Sequence, residues 1–413
     1  MPAAQQQLVV IGGGAAGFFC AVNAARLNPS LRVTILEKSS KLLSKVKVSG
    51  GGRCNVTHAC FDIGEMSRHY PRGGNFVKKA FHQFFTTDTI DWFKQRGVAL
   101  KQEKDGRMFP VTDSSQTIID CLLKETAEHG VNIVMHAEVL QIDVHDTAFL
   151  LQLNNGRSLQ ADFVCIASGG YPKAAMFDWL RRLGHTISEP VPSLFTFNIP
   201  GHPIRELMGV SVEKARIKIL GTRLIQEGPL LITHWGLSGP AVLKSSAWGA
   251  RELAAVAYSF TVSINWLAAE DHHEQSLKEQ WKQYRVTHAS KKAYTTNLTP
   301  LPNRLWEFLL SQSGVADGAR YADIPVKTEN LLIKNLVDYQ LNVQGKTTFK
   351  EEFVTAGGIR LEEIDHQTMM SKKKPGLFFT GEVMDVDGIT GGFNFQHAWT
   401  SGFIAGSTIA KSV

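Results

Sequence analysis

"QLVVIGGGAAGFFCAVNAARLNPSLRVTILEK", residues 7–38, decides how the rest of the chain is read. Residues 7–11 are an apolar strand pattern, residues 15–27 a helical one, and residues 31–36 a second strand ending at Glu37. Strand, helix and strand in about 30 residues make a βαβ unit. At its first turn stand Gly12, Gly14 and Gly17, spaced G-x-G-x-x-G. Gly12 permits the tight turn, Gly14 lets a pyrophosphate approach the backbone, and Gly17 lets helix and strand pack closely. The helix N-terminus offers unpaired N–H groups and a partial positive charge to phosphates. Glu37 lies 20 residues beyond Gly17, placed to accept hydrogen bonds from ribose hydroxyls. The stretch predicts dinucleotide binding on a Rossmann-like, doubly wound α/β fold. Residues 8–25 carry no charge and resemble a membrane span or signal peptide. The leader MPAAQQQ lacks basic residues, however, so a buried strand, turn and helix is expected.

At 413 residues the chain exceeds one ordinary core, which predicts two or three domains. Hydrophobic content of 43% with 20% charged residues is that of a globular protein and excludes a largely disordered one. Lys and Arg number 44 against 38 Asp and Glu, a net +6 that suits an anionic cofactor or nucleic acid. The five cysteines (Cys20, Cys54, Cys60, Cys121, Cys165) form no CxxC pair. Free thiols and a cytoplasmic location, with no membrane association, are expected.

Further along, residues 75–97 and 114–129 read as helices, the latter capped by Asp113 or Ser114. Residues 131–168 alternate like short strands with a turn at Asn154-Asn155-Gly156, and residues 177–185 read as a helix. The proline-rich "EPVPSLFTFNIPGHP" (189–203) marks a boundary. Short strands follow over 194–265, then helical patterns near 271–287, 302–313 and 327–338. Glycine motifs return after Lys350. The expected layout is a discontinuous Rossmann-like domain, 1–190 with 351–413, interrupted by an inserted domain, 191–350. That insert is β-rich over 191–267 and helical over about 268–340.

Two further motifs bear on the ligand. "SGGGRCNVTH" (49–58) sets three glycines before Arg53 and Cys54, close behind Lys41, Lys45 and Lys47. Such a backbone suits close approach to a negatively charged group. "TGEVMDVDGITGGFNFQHAWTSG" (380–402) reads as strand end, acidic turn, then Gly391-Gly392 opening a helix over 394–405. A second helix N-terminus beside the first site suits a long cofactor, FAD rather than NAD alone. The Asp-x-Asp-Gly of 385–388 lacks the remaining ligands of a calcium loop, so no metal site is expected. There is no second G-x-G-x-x-G, so no separate nicotinamide-binding Rossmann unit is expected.

Four stretches together resemble the bacterial FAD-dependent oxidoreductases of the BaiN/RdsA (YhiN-like) type. They are "VVIGGGAAG" (9–17), "SGGGRCNVT" (49–57), "GPLLITHWGLSGPAVL" (228–243) and "GEVMDVDGITGGFNFQHAWTSG" (381–402). The resemblance implies a Rossmann-like FAD domain interrupted by a β-rich and helical insert. It also implies bound FAD and reduction of activated C=C bonds by NAD(P)H, which would visit the flavin as a transient reductant. Activities in the family span uracil in large-subunit ribosomal RNA (giving dihydrouridine), a conjugated steroid enone, and oxidation of small amines. Carried onto this chain, Gly12, Gly14, Ala15, Ala16, Glu37 and Lys38 hold the ADP half, and Val139 meets adenine. Lys45, Ser49, Gly51, Arg53, Cys54 and Gly169 flank the pyrophosphate or flavin, as do Gly381, Glu382, Asp385, Gly391, Gly392, Asn394 and Phe395. The chain departs from the family at Leu43-Ser44-Lys45, at Thr57-His58, and in a shorter loop after Gly170, which bears on flavin-edge contacts and substrate choice.

Two side chains are candidates for proton transfer to carbon. Cys54 is either that donor or a small residue packed against the flavin, and His397 either a second acid or a helix-packing residue. "GLSGP" does not match the nucleophile elbow, so hydrolysis is not expected. His272-His273 lacks partners at metal-ligand spacing. Ribosomal RNA is one expected partner, a free small molecule the other, and a non-catalytic flavin-stabilised binding protein is a third reading. For RNA, Lys278, Lys282, Arg285, His288, Lys291 and Lys292 offer cations, as do Arg68, His69, Arg72, Lys78, Lys79 and Lys372–Lys374, with Tyr70 as a stacking surface.

Overall fold

The computed structural model describes residues 5–145, 148–268, 272–348 and 354–412. The chain forms two compact units, Met1–Ser193 with Lys350–Val413, and Leu194–Phe349. The expected change-over at 350 and 351, and the first residue of the expected helix 271–287, lie outside the described residues.

In the first unit, β1 (Gln7–Ile11), α1 (Ala15–Leu27) and β2 (Arg32–Glu37) form the expected βαβ unit. Helix α2 (Ser115–Glu128), capped by the Ser114 side chain, leads into β3 (Asn132–Met135). Strands β4 (Phe163–Ile166) and β5 (Leu377–Phe379) complete a parallel sheet in the order β5-β4-β1-β2-β3. Because β1 and β4 are covered on both faces, they read as unbroken apolar runs rather than alternating ones. The apolar stretch 8–25 is thus a buried strand, turn and helix. Among the described residues no helix is long and apolar enough to cross a membrane.

The C-terminal helix α3 (Phe393–Lys411) runs six residues beyond the expected 405 and packs along α1. Their contact is close because α3 presents Gly402 and Gly406 to the α1 backbone. A Cβ on Gly406 would stand 2.5 Å from the Cys20 carbonyl oxygen, and one on Gly402 2.7 Å from that of Ala16. The expected single helix over 75–97 is two, Gly74–Ala80 and Thr86–Lys94. The carboxylate of Asp88 accepts from the Phe85 N–H at 2.7 Å, which starts a new helix where Phe84 and Phe85 turn inward. The proline-rich boundary is a strand, Ile187–Ser193, paired antiparallel with Val354–Ile359 and irregular between Ser188 and Val191. Pro190 lies in that irregular stretch and donates no ladder hydrogen bond.

The second unit is built on a seven-stranded sheet whose long central strands are Ser211–Ile219, Ile225–Thr233 and Ser259–Asn265. Helices Glu274–Thr287, Asn303–Gln312 and Val326–Val337 supply Trp281, Trp306, Leu309 and Leu332 to one core shared with the sheet. The sequence reading missed Pro240–Trp248 and Ala250–Ala255, helices inside the span expected to be strands. Gly239, at φ +94, turns the chain, and Pro240 then sits in the first turn where its missing N–H costs nothing.

Candidate functional site

The turn after β1 places Gly14 as the N-cap of α1, with no side chain capping the helix and no acidic residue in its first turn. The first-turn N–H groups and the positive end of the helix dipole are therefore available to an anion. Gly17 packs so closely that a Cβ would stand 2.0 Å from the Gly12 oxygen, whereas a Cβ on Gly14 would meet nothing within 4 Å. Glu37 is fixed at the end of β2, accepting from the N–H groups of Gly13 and Ser39, both at 2.8 Å. Its two oxygens keep further lone pairs for hydroxyl donors. The Ala137 N–H bonds the Glu37 carbonyl at 2.9 Å, which brings Val139, two residues on, toward the same end. Lys38 stands 5.8 Å from the centre of the Tyr171 ring.

The three glycines of "SGGGRCNVTH" are explained by backbone geometry. Gly50, Gly51 and Gly52 take φ of +59, +70 and +85, a left-handed run that ends the helix begun at Ser44. Gly51 and Gly52, like Gly169 after β4, are open where a Cβ would stand. Cys54 itself has φ +62, and its N–H closes the turn onto the Ser49 carbonyl at 3.0 Å. From this turn two links reach the C-terminal motif. Asn55, oriented to donate to Thr57 O at 3.1 Å, accepts from the Gly392 N–H at 2.9 Å. His58 Nδ1 donates to the Gly391 carbonyl at 3.0 Å, and its ring stacks on Phe393 at 4.7 Å. Asn55 was not among the expected site residues: a neutral amide in a glycine motif carries no charge signal.

Gly381 lies against Ala16, where a Cβ would approach the Ala16 methyl to 2.9 Å. Glu382 accepts from Lys45 Nζ at 2.6 Å and from the Thr355 N–H at 2.8 Å. Asn394 closes its own loop, accepting from Gly388 N–H at 2.8 Å and donating to Gly388 O at 2.9 Å. Asp385 is held through its N–H on the Ile359 carbonyl at 3.0 Å, and the ring of Phe395 stacks on that of Trp399. Asp387, wholly buried, is paired with Arg72 and accepts from Ser193 Oγ at 2.8 Å. Arg53 is engaged elsewhere: Nη1 donates to Glu103 at 2.6 Å and the guanidinium lies 4.1 Å from the centre of the Phe109 ring. The uncapped helix end, the open glycines and the anchored Glu37 fit a dinucleotide cofactor.

Both proton-transfer candidates are buried. Cys54 is fully buried, and burial pushes its thiol up to about 12. His397 Nε2 donates to the Gly381 carbonyl at 3.3 Å, and burial pushes the imidazole down to about 4. His185, hydrogen-bonded to Ser371 Oγ at 2.8 Å, is likewise pushed down to about 4 by burial. Unfolded histidine titrates near 6.5, so between the two values the unfolded chain binds protons that the fold does not. The stability from keeping these rings neutral is complete above about pH 6.5 and is lost as pH falls toward 4. For His397 alone the loss is on the order of 3 kcal/mol. Urea unfolding at about pH 7 and about pH 4.5 measures it. His397→Gln should flatten the dependence; an unchanged slope in that variant would count against a buried neutral His397.

Of the residues expected to face nucleic acid, two are taken up inside the fold and four form ion pairs at its surface. Tyr70 is buried and its hydroxyl donates to Phe393 O at 2.6 Å, so it offers no stacking surface. Arg72 holds Asp387. Lys278, Lys282, Arg285 and Lys373 pair with Glu274, Glu279, Glu329 and Glu363 at 2.5, 3.1, 2.8 and 2.6 Å. The pairs of Lys278 and Lys282 follow from their i,i+4 and i,i+3 spacing, whereas those of Arg285 with Glu329 and of Lys373 with Glu363 join separate segments.

The family described as HI0933-like protein Rossmann domain matches residues 6–408. A ribosomal RNA dihydrouridine synthase of Escherichia coli (strain K12) is 34% identical over 397 residues, covering 94% of each chain. A 3-dehydro-bile acid delta(4,6)-reductase of Clostridium scindens is 29% identical over 413 residues, 96% of this chain and 97% of that one. In fold, the chain is similar to a 3-ketosteroid-delta4-(5alpha)-dehydrogenase from Rhodococcus jostii RHA1, at a TM-score of 0.53 and 12% identity, covering 99% and 98% of the two chains.

Proposed function

The chain belongs to the HI0933-like Rossmann-domain family of oxidoreductases, and from that membership we propose that it is an FAD-dependent, NAD(P)H-consuming reductase of an activated C=C bond. When bound, FAD supplies the hydride carrier between the nicotinamide and the electron-poor alkene. The chain's own residues bind and orient it. The α1 N-terminus with Gly12, Gly14, Ala15 and Ala16 takes the pyrophosphate, Glu37 the adenosine ribose and Val139 the adenine. Gly51, Gly169, Gly381 and the Gly391-Gly392 turn shape the flavin end. The single observation that carries this reading is the uncapped α1 N-terminus, its Gly14 open where a Cβ would stand and Glu37 tied beside it to the Gly13 N–H. Cys54 keeps its proton at neutral pH and stands beside the proposed flavin end, either as a packing residue or as the proton donor to carbon.

The substrate we propose is uracil in 23S ribosomal RNA, reduced to dihydrouridine in the cytoplasm. Its support is the 34% identity to a ribosomal RNA dihydrouridine synthase over 94% of both chains. The similarity to a bile acid reductase favours a second reading, a conjugated enone as substrate. Two measurements decide. Purified protein should be yellow and lose its visible flavin absorption when NADH or NADPH is added without oxygen; colourless protein that takes up no FAD overturns the assignment. Ribosomal RNA from a strain lacking the gene should lose dihydrouridine, and an unchanged content refutes the RNA substrate in favour of the enone.

A further inference from the structure

The positive charge of the chain is not evenly spread. Residues 194–349 hold seventeen Lys and Arg against thirteen Asp and Glu, so this unit carries +4 of the net +6. It also contains a cleft of about 530 Å³, lined by His202, Arg205, Glu206, Met208 and His234 among others. That volume is within the range of small-ligand sites. The cleft lies between the 3₁₀ turn Pro203–Leu207 and the tip that joins Ile225–Thr233 to Gly236–Ser238.

Its walls combine the groups a nucleotide requires. Arg205 Nε donates to the His234 carbonyl at 2.5 Å, which fixes the guanidinium at the mouth and leaves its two amino groups for an anion. His202 Nδ1 accepts from the Ile204 N–H at 3.1 Å, so its hydrogen sits on Nε2 as a donor. Glu206, exposed beside them, is an acceptor suited to a base N–H. His234 is exposed and backed edge-on by the Trp235 ring, 3.8 Å between centroids. Met208, 56% exposed, adds a polarisable apolar surface. Cation, donor, acceptor and a supported aromatic face within one cleft are the elements of single-strand recognition.

We propose that this cleft binds one nucleotide of single-stranded RNA, the base against His234 and Met208 and the adjoining phosphate on Arg205. The inference rests on the ribosomal RNA reading above and adds where the second unit grips the strand. Stacking is tolerant of sequence, so the site secures the strand without choosing the base to be reduced.

The test uses the full FAD-loaded chain and a fluorescein-labelled oligouridylate of about a dozen nucleotides, followed by anisotropy. His234→Ala is expected to weaken binding about tenfold. Arg205→Gln should weaken it and lower the slope of log affinity against log salt by about 0.7, one phosphate contact on a single strand. Flavin absorption and thermal melting report whether each variant folds. Wild-type affinity and salt slope in both folded variants would overturn the site, as would uridine monophosphate binding as tightly as the oligonucleotide. Failure of the wild-type chain to bind the oligonucleotide or to form dihydrouridine would instead overturn the RNA reading on which it rests.

Discussion

Gly406→Val is expected to destabilise the first unit by about 3 kcal/mol and to strip it of cofactor. Two effects oppose each other at position 406. Glycine inside a helix is worse than alanine by about 1 kcal/mol, so helix propensity alone says that filling position 406 should help. The packing says the opposite: any Cβ there stands 2.5 Å from the Cys20 carbonyl oxygen and 3.1 Å from the Ala24 nitrogen, both backbone atoms of α1. Backbone cannot rotate away as a side chain can, so the two helices must separate. Separation moves α1, whose N-terminus is the proposed anion site, and thereby links a distant substitution to FAD retention. Gly406→Ala decides the sign in urea unfolding. A loss shows that contact outweighs propensity, whereas a gain near 1 kcal/mol would show that the helices have room to spare.

The second large effect concerns Arg72 and Asp387. The Asp387 side chain is fully buried and that of Arg72 only 14% exposed, so the carboxylate relies on the guanidinium and on Ser193 Oγ for solvation. Burial raises the Asp387 carboxyl while Arg72 and Ser193 oppose the rise. Arg72→Ala should therefore cost about 3–5 kcal/mol, because it leaves a buried carboxylate without its counter-charge. The double variant Arg72→Met, Asp387→Leu should cost less than Arg72→Ala alone, since no charge is then stranded. Urea unfolding of the single and double variants measures the coupling. Additive losses would mean that the two side chains are energetically independent. Because Asp387 sits four residues before Gly391, weaker flavin retention should accompany the loss of stability.

These two sites also show where reading the chain stops. The βαβ unit, the G-x-G-x-x-G turn and Glu37 were legible because each signal is local: a period, a spacing or a strand end within 31 residues. The glycines at 50–52 were legible as special, although the reason is their left-handed backbone and Arg53 answers to Glu103. Arg72 was read as a surface cation because its partner lies 315 positions away, and sequence alone carries no trace of that pairing. Gly402 passed as an ordinary helix residue and Gly406 fell just beyond the expected helix end at 405, since their function depends on a neighbour contributed by the other end of the chain. Pro240–Trp248 looked like a strand because PAVL is apolar without period, and only the turn at Gly239 reveals the helix.

The antiparallel stem Ile187–Ser193 with Val354–Ile359 has a consequence for chain entropy. Ser193 lies opposite Val354, so the excursion between them leaves and re-enters through neighbouring backbone positions. For such a loop the closure cost grows only with the logarithm of length, about 0.6 kcal/mol for each doubling. The length of the excursion therefore weighs little on the stem, while its helices are held in place by the core they share with their own sheet.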